Sequence, residues 1–211
     1  MVRGKQKRRG VVTRQPKQLV VIGAEGRNRT EQLYFQNFNR IQRRYVVKFA
    51  PENATDPVRI VRSVQKWMER QDDFELGPGK DYAYAVFDTD TDGKKEDEIR
   101  TAKALAEQTG IRLLWSNPCF EVWYILHFGY STAPFSSNGE VLRRLARFLP
   151  NYKKNDDVFD RLFEDTAEAV RRAKQLRHYH RENAHIRVMD RNPGSEVDEL
   201  VEMLMKEIPW N

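Results

Sequence analysis

Residues 82–90 read Tyr-Ala-Tyr-Ala-Val-Phe-Asp-Thr-Asp, and the fold turns on this stretch. Tyr82 to Phe87 form a continuous uncharged run, the pattern of a strand buried on both faces of a parallel sheet. The run stops at Asp88-Thr89-Asp90, which places two carboxylates at the strand's carboxyl end. Three other short runs have the same character: Gln18 to Gly23 (QLVVIG), Tyr45 to Phe49 (YVVKF) and Ile111 to Trp115 (IRLLW).

Helical spacing fills the gaps between them. Thr30 to Gln42 places Leu33, Tyr34, Phe38 and Ile41 on one side. Asp56-Pro57 is a helix start, because Asp caps free N–H groups and Pro at the first position loses no bond. Val61, Val64, Trp67 and Met68 follow at helical spacing, and the segment runs into a Gly77-Pro78-Gly79 loop. A helix over Glu96 to Thr109 stops at Gly110, the position of a C-terminal cap. Asn117-Pro118 reads as the start of a helix, FEVWYILHF, that is apolar nearly all round and therefore buried.

Alternating strands and helices predict an α/β fold with a parallel sheet of about four strands and right-handed crossovers. From Gly139 onward the pattern is helical only, over 141–149, 157–177 and 195–208. The organisation read here is a basic tail over 1–17, an α/β domain over 18–130 and a helical extension over 131–211 packed on the α/β core.

Bulk composition narrows the class. The chain has 211 residues, 39% hydrophobic and 32% charged, with a formal charge of +6. The tail alone carries Arg3, Lys5, Lys7, Arg8, Arg9, Arg14 and Lys17 without an acid, so these seven cations take the charge of the rest to −1. Such an arm reads either as a phosphate contact or as a solvated leader. No run is apolar enough to span a bilayer or to serve as a secretory signal, so the expectation is a cytoplasmic protein without a membrane partner. A single cysteine, Cys119, excludes an intramolecular disulfide and reads as structural.

In open α/β sheets ligands sit beyond the carboxyl ends of the strands. Glu25 follows the first strand, Asp88 and Asp90 close the third, and Glu121 lies in the first turn after the fourth. Converging carboxylates repel one another, and a hard cation such as Mg²⁺ or Mn²⁺ resolves the conflict. Each acid also has a plainer reading. Glu25 fits an exposed turn residue, and Glu121 fits a helix-terminal acid. Asp88 to Gly93 matches the first half of a calcium loop, but Ile99 stands where that loop needs a bidentate Glu. His127 reads as a packed, hydrogen-bonded histidine. His178, His180 and the basic residues Arg171, Arg172, Lys174, Arg177 and Arg181 read either as a phosphate-contacting face or as ordinary charged surface. Trp115 and Trp123 read as core.

Four blocks together resemble the RloB-like family. They are the strand and turn ending in Glu25-Gly26 with Thr30-Glu31; Val86-Phe87-Asp88-Thr89-Asp90; Ser116-Asn117-Pro118-Cys119-Phe120-Glu121-Val122-Trp123 running on to His127-Phe128; and Asn192-Pro193-Gly194-Ser195. That family is associated with bacterial restriction-modification and abortive-infection loci and is similar to Toprim domains. The resemblance implies a Toprim-like sheet, Mg²⁺ or Mn²⁺ held by Glu25, Asp88 and Asp90, and phosphodiester hydrolysis of DNA or RNA, with other defence proteins as partners; beside it, the position of Glu121 suits a ligand of a second ion. The alternative is a non-catalytic nucleic-acid or nucleotide-binding accessory protein that uses the metal as a phosphate clamp. Asn117, Arg27, Arg29, Glu31, His178 and His180 are the candidate substrate contacts, with Asn117 aimed at a phosphate or fixing Glu121. One departure stands out: three residues, Arg27, Asn28 and Arg29, separate the Glu-Gly and Thr-Glu pairs where family members have two. The extra residue predicts that Glu31 rotates away from the metal.

Overall fold

The computed structural model describes residues 17–26, 29–51, 54–90 and 95–206. Four parallel strands, β1 (Gln18–Gly23), β2 (Tyr45–Phe49), β3 (Tyr82–Asp88) and β4 (Arg112–Asn117), lie in the order β2-β1-β3-β4. A two-residue strand, β5 (Gly194–Ser195), adds to β4 in the antiparallel sense. The architecture is the expected α/β sheet with flanking helices, extended by one short strand.

Side-chain alternation splits the core into two layers. Val20, Ile22, Tyr84, Val86 and Leu114 face α1 (Thr30–Gln36) and α2 (Phe38–Ile41) through Tyr34, Phe35 and Phe38. Val21, Ala83, Ala85, Phe87 and Trp115 face α3 (Pro57–Met68) and α4 (Glu96–Thr109) through Ile60, Val61, Val64 and Ala102. Neighbouring strands β1 and β3 therefore send their chains to opposite faces of the sheet. Their carboxyl ends are the place where such sheets hold ligands. Glu25 follows β1 and Asp88 closes β3, and the Asp88 N–H donates to Glu25 Oε1 at 3.4 Å.

The remaining helices are α5 (Glu121–Phe128), α6 (Asn138–Leu145), α7 (Phe159–Leu162), α8 (Thr166–Glu182) and α9 (Val197–Met205). Their Trp123, Leu145, Phe159, Leu162, Leu176 and Leu200 belong to the same buried cluster as Val20 and Ile22. The C-terminal helices thus complete the layer that α1 and α2 begin.

Several local expectations hold. The Asp56 carboxylate accepts from the Arg59 N–H at 2.9 Å with Pro57 in the first turn, and Gly110 closes α4 at φ 72°. Others are corrected. The helix expected over 30–42 is interrupted at Asn37, whose amide donates to the Leu33 carbonyl and to both Asp157 oxygens at 2.7–3.0 Å. Asn117 does not start a helix. It ends β4, a cis peptide bond links it to Pro118, and α5 begins only at Glu121. The segment read as one helix over 157–177 is α7, a 3-10 turn at Phe163–Asp165, and α8 running on to Glu182. Residues 1–16 of the basic tail lie outside the described residues, as do Arg27 and residues 91–94 of the calcium-loop match. Ile99 is buried on α4.

Gly23 is where β1 approaches α3 most closely. A Cβ there would lie 2.6 Å from Val64 Cγ2 and 3.0 Å from Ile60 Cγ2. Gly23→Ala is expected to lower stability by about 1–3 kcal/mol through overpacking. Val64→Ala in the same chain should recover part of that loss, a non-additivity readable by urea denaturation of the two single variants and the double. Strict additivity would show that the approach is not limiting.

Candidate active site

The carboxyl edge of the sheet is built by pinning two loops together. Thr89 N–H donates to the Ser116 carbonyl and Asp90 N–H to the Pro118 carbonyl, both at 3.0 Å. The loop after β3 is thereby held against the loop after β4. Asp90 adopts φ 56°, a left-handed conformation that Asp tolerates better than most residues.

Five acids gather at this edge, and Asp90 is the outlier. Glu31, Asp88 and Glu121 are buried, Glu25 is mostly covered, and the Asp90 side chain is 39% exposed. Burial, followed by the charges of Glu31, Glu25 and Glu121, pushes the Asp88 carboxyl well above its ordinary range. Burial raises Glu31 to about 8, with the charges of Glu121 and Glu25 adding to it. Glu25 is raised by burial too, against the opposing pull of Lys95. The charges of Glu121 and Glu25 act on the Glu31 carboxyl, and that of Glu31 acts on Asp88.

Two lysines answer this charge. Lys95, at the start of α4, donates to Glu25 Oε1 at 3.1 Å and to the Asp88 carbonyl at 2.9 Å, and pairs with Asp90 Oδ2 at 2.8 Å. Lys154 approaches Glu121 Oε1 to 3.9 Å, and the Tyr152 hydroxyl donates to the same oxygen at 3.3 Å. Burial pulls both ammonium groups down. For Lys95 the Asp90 hydrogen bond and the Glu25 charge, with smaller contributions from the same two acids, outweigh it; for Lys154 the combined charges led by Glu121 do, so both end raised. Asn138, at the start of α6, donates to Asp90 Oδ1 at 3.0 Å. None of these four partners was evident in the sequence. Lys95 stood close to the Asp pair, but the Tyr152–Lys154 segment has no periodic or motif signal.

Even so, four buried oxygens here have no hydrogen-bond partner: Glu31 Oε2, Asp88 Oδ1, Glu121 Oε2 and Asn138 Oδ1. Buried acceptors left unsatisfied are costly, and oxygen-only sets suit a hard cation. The donor chemistry fits Mg²⁺ or Mn²⁺. Among the described residues, however, no three Asp, Glu, His or Cys side chains are already gathered at metal-binding geometry.

Other candidates have different employment. The Asn117 amide donates to the Val188 and Met189 carbonyls at 2.9 and 3.2 Å, which fixes the 188–190 turn rather than a phosphate or Glu121. His180 is buried, with Nε2 at 2.8 Å from the Pro193 carbonyl and Nδ1 at 2.8 Å from His185 Nδ1, so both ring nitrogens are engaged. His178 and Arg29 are exposed; the Arg29 N–H donates to Asn155 Oδ1 at 2.8 Å. On the basic face of α8, Arg171 pairs with Glu168, Lys174 with Glu202 and Arg177 with Asp198, while Arg172 donates to the last carbonyls of α5. Trp115 and Trp123 are core. Burial, with the charges of Glu121 and Asp88, pushes the Cys119 thiol well up, which disfavours its thiolate.

Residues 20–204 match the RloB-like protein family, and the chain belongs to it. Neither the curated proteins nor the solved structures contain a match.

His127 packs as expected, with Nδ1 at 2.9 Å from the Trp123 carbonyl and its ring edge-on to Trp123. Burial, aided by the Arg172 charge, pulls it down to about 4. Its folded pKa lies below the unfolded 6.5, so the fold excludes a proton that the unfolded chain binds. Its contribution is complete above pH 6.5 and is lost as pH falls toward 4. Denaturation curves of wild type and His127→Phe should therefore diverge with pH only inside that window, where wild type loses stability faster. Parallel profiles would remove this titration from the account.

Proposed function

We propose that the chain is a Mg²⁺- or Mn²⁺-dependent phosphodiesterase acting on nucleic acid in a bacterial anti-phage or restriction-associated setting. The observation that carries the reading is the set of buried, unpartnered oxygens on Glu31, Asp88, Glu121 and Asn138 at the carboxyl edge of the sheet. Such a cluster destabilises the fold unless something cationic uses it, and functional sites are where that cost is tolerated. Family membership is consistent with the reading but names no reaction.

Glu31, Asp88 and Glu121 would hold the cation. A bound divalent ion supplies Lewis acidity and lowers the pKa of its water. The chain's own groups do the rest. Glu25, held by Lys95, is placed to accept the proton of the attacking water. The Lys95 and Lys154 ammonium groups can neutralise charge on the phosphoryl oxygens as the new P–O bond forms and the ester P–O bond breaks. Asp90 positions Lys95 and Asn138 rather than taking part directly.

A second reading has one observation in its favour. Lys95 already bridges Glu25 and Asp90, and no metal geometry is preformed among the described residues. On that reading the edge is a lysine-neutralised clamp for nucleic acid or a nucleotide, without turnover.

The two separate by a stability–activity trade-off. Asp88→Asn and Glu121→Gln each replace a buried acid of this edge by a neutral isostere. In chelator both variants should melt a few degrees above wild type, in keeping with about 1 kcal/mol or more of relieved burial cost. Millimolar Mn²⁺ should raise the melting temperature of wild type but not of the variants. Cleavage of fluorescent single-stranded DNA, RNA or plasmid should vanish in both. Wild type that neither responds to Mn²⁺ nor cleaves would leave the clamp reading in place.

A further inference from the structure

The fourth sequence block, Asn192-Pro193-Gly194-Ser195, has no part in the carboxylate site, yet it builds something definite. The Asn192 side chain grips the Phe135 backbone from both sides, accepting from its N–H at 3.0 Å and donating to its carbonyl at 2.8 Å. This fastens the 131–136 loop over α5. Between them lies a cavity of about 340 Å³, floored by Val122, Ile125, Leu126 and Pro193 and walled by Phe135. Its other wall is α6 and the turn after it, carrying Arg143, Arg144 and Arg147.

These three arginines are exposed, and none forms a salt bridge among the described residues. The one acid in the lining, Glu140, is held by the backbone and hydroxyl of Ser136. The cavity is thus an apolar slot with a cationic rim. Its long wall begins at the carboxylate site, since Asn138 at the head of α6 contacts Asp90. From Asn138 to Arg144 is six helical residues, about 9 Å. That spacing corresponds to about two or three stacked nucleotides at ~3.4 Å each.

We infer that this slot is the substrate track: it takes the single-stranded flank of a nucleic acid, one base against Phe135 and Pro193, with its phosphates on Arg143, Arg144 and Arg147, and leads the chain to the carboxylate edge. Apolar and aromatic surface for bases beside cations for phosphates is the chemistry of single-strand binding. The inference rests on the phosphodiesterase reading for its direction, but not for its test, because binding is measured in chelator without turnover.

The probe is fluorescein-labelled 12-nucleotide oligo(dT) and oligo(rU), followed by anisotropy against salt. Replacing Arg143, Arg144 and Arg147 together by Gln should weaken binding about tenfold or more and flatten the logarithmic salt slope by about 2, at roughly 0.7 per lost phosphate contact. A control removing three cations of the opposite face, Arg62→Gln, Arg70→Gln and Lys103→Gln, should stay within about twofold of wild type. Thermal melting shows whether both triple variants are folded. Unchanged affinity in the arginine variant or an equal loss in the control would each overturn the assignment. A bound oligonucleotide with no cleavage under any metal would instead sink the enzymatic reading and leave the track standing.

Discussion

Repulsion among carboxylates at the carboxyl edge of the sheet is the constraint around which the rest of the molecule is arranged. Glu25 and Glu31 come from the turn after β1 and the start of α1, Asp88 from the end of β3 and Glu121 from the start of α5, and burial makes their mutual repulsion stronger than it would be in water. Two lysines from distant parts of the chain relieve it. Lys95 comes from the start of α4, while Lys154 arrives from the C-terminal half with Tyr152. The helices beyond residue 130 therefore do more than cover apolar surface. They close the face of the sheet begun by α1 and α2, and they deliver a cation and a hydroxyl to acids more than thirty positions earlier.

This neutralisation is incomplete. Lys95 spends its donors on Glu25, the Asp88 carbonyl and Asp90, while one oxygen each of Glu31, Asp88 and Glu121 is left bare and buried. A lysine is a point charge on a flexible stem, so it can yield its place to another cation or turn toward an incoming phosphate. An edge held together by such residues is poised rather than closed. That poise is the physical content of the proposed chemistry.

The two signs of charge are also kept apart in space. Acids gather at the strand ends, while Arg143, Arg144 and Arg147 line a slot along α6, the helix whose first residue, Asn138, donates to Asp90. By contrast, the basic face of α8, which looked equally inviting as a phosphate surface, is largely consumed by Glu168, Glu202 and Asp198. Counting arginines along a helix could not separate these cases, because the acids that silence the α8 set lie partly on another helix.

Local pattern determined the four parallel strands, the limits of α4 and the caps at Asp56 and Gly110, because each depends on residues within a turn or two of one another. Those strands then placed Glu25, Asp88 and Glu121 at one edge, since a parallel sheet puts every strand's carboxyl end on the same side. What the tertiary structure alone decided is which groups meet there. It buried Glu31, turned Asp90 outward onto Lys95 and Asn138, and ended β4 at Asn117 with its amide spent on the 188–190 turn. It also paired β5, two residues long, with β4, too short a strand to leave any periodic trace. Each of these outcomes depends on contacts between segments far apart in the chain, and side-chain direction at such contacts is set by packing and charge balance rather than by spacing along the sequence.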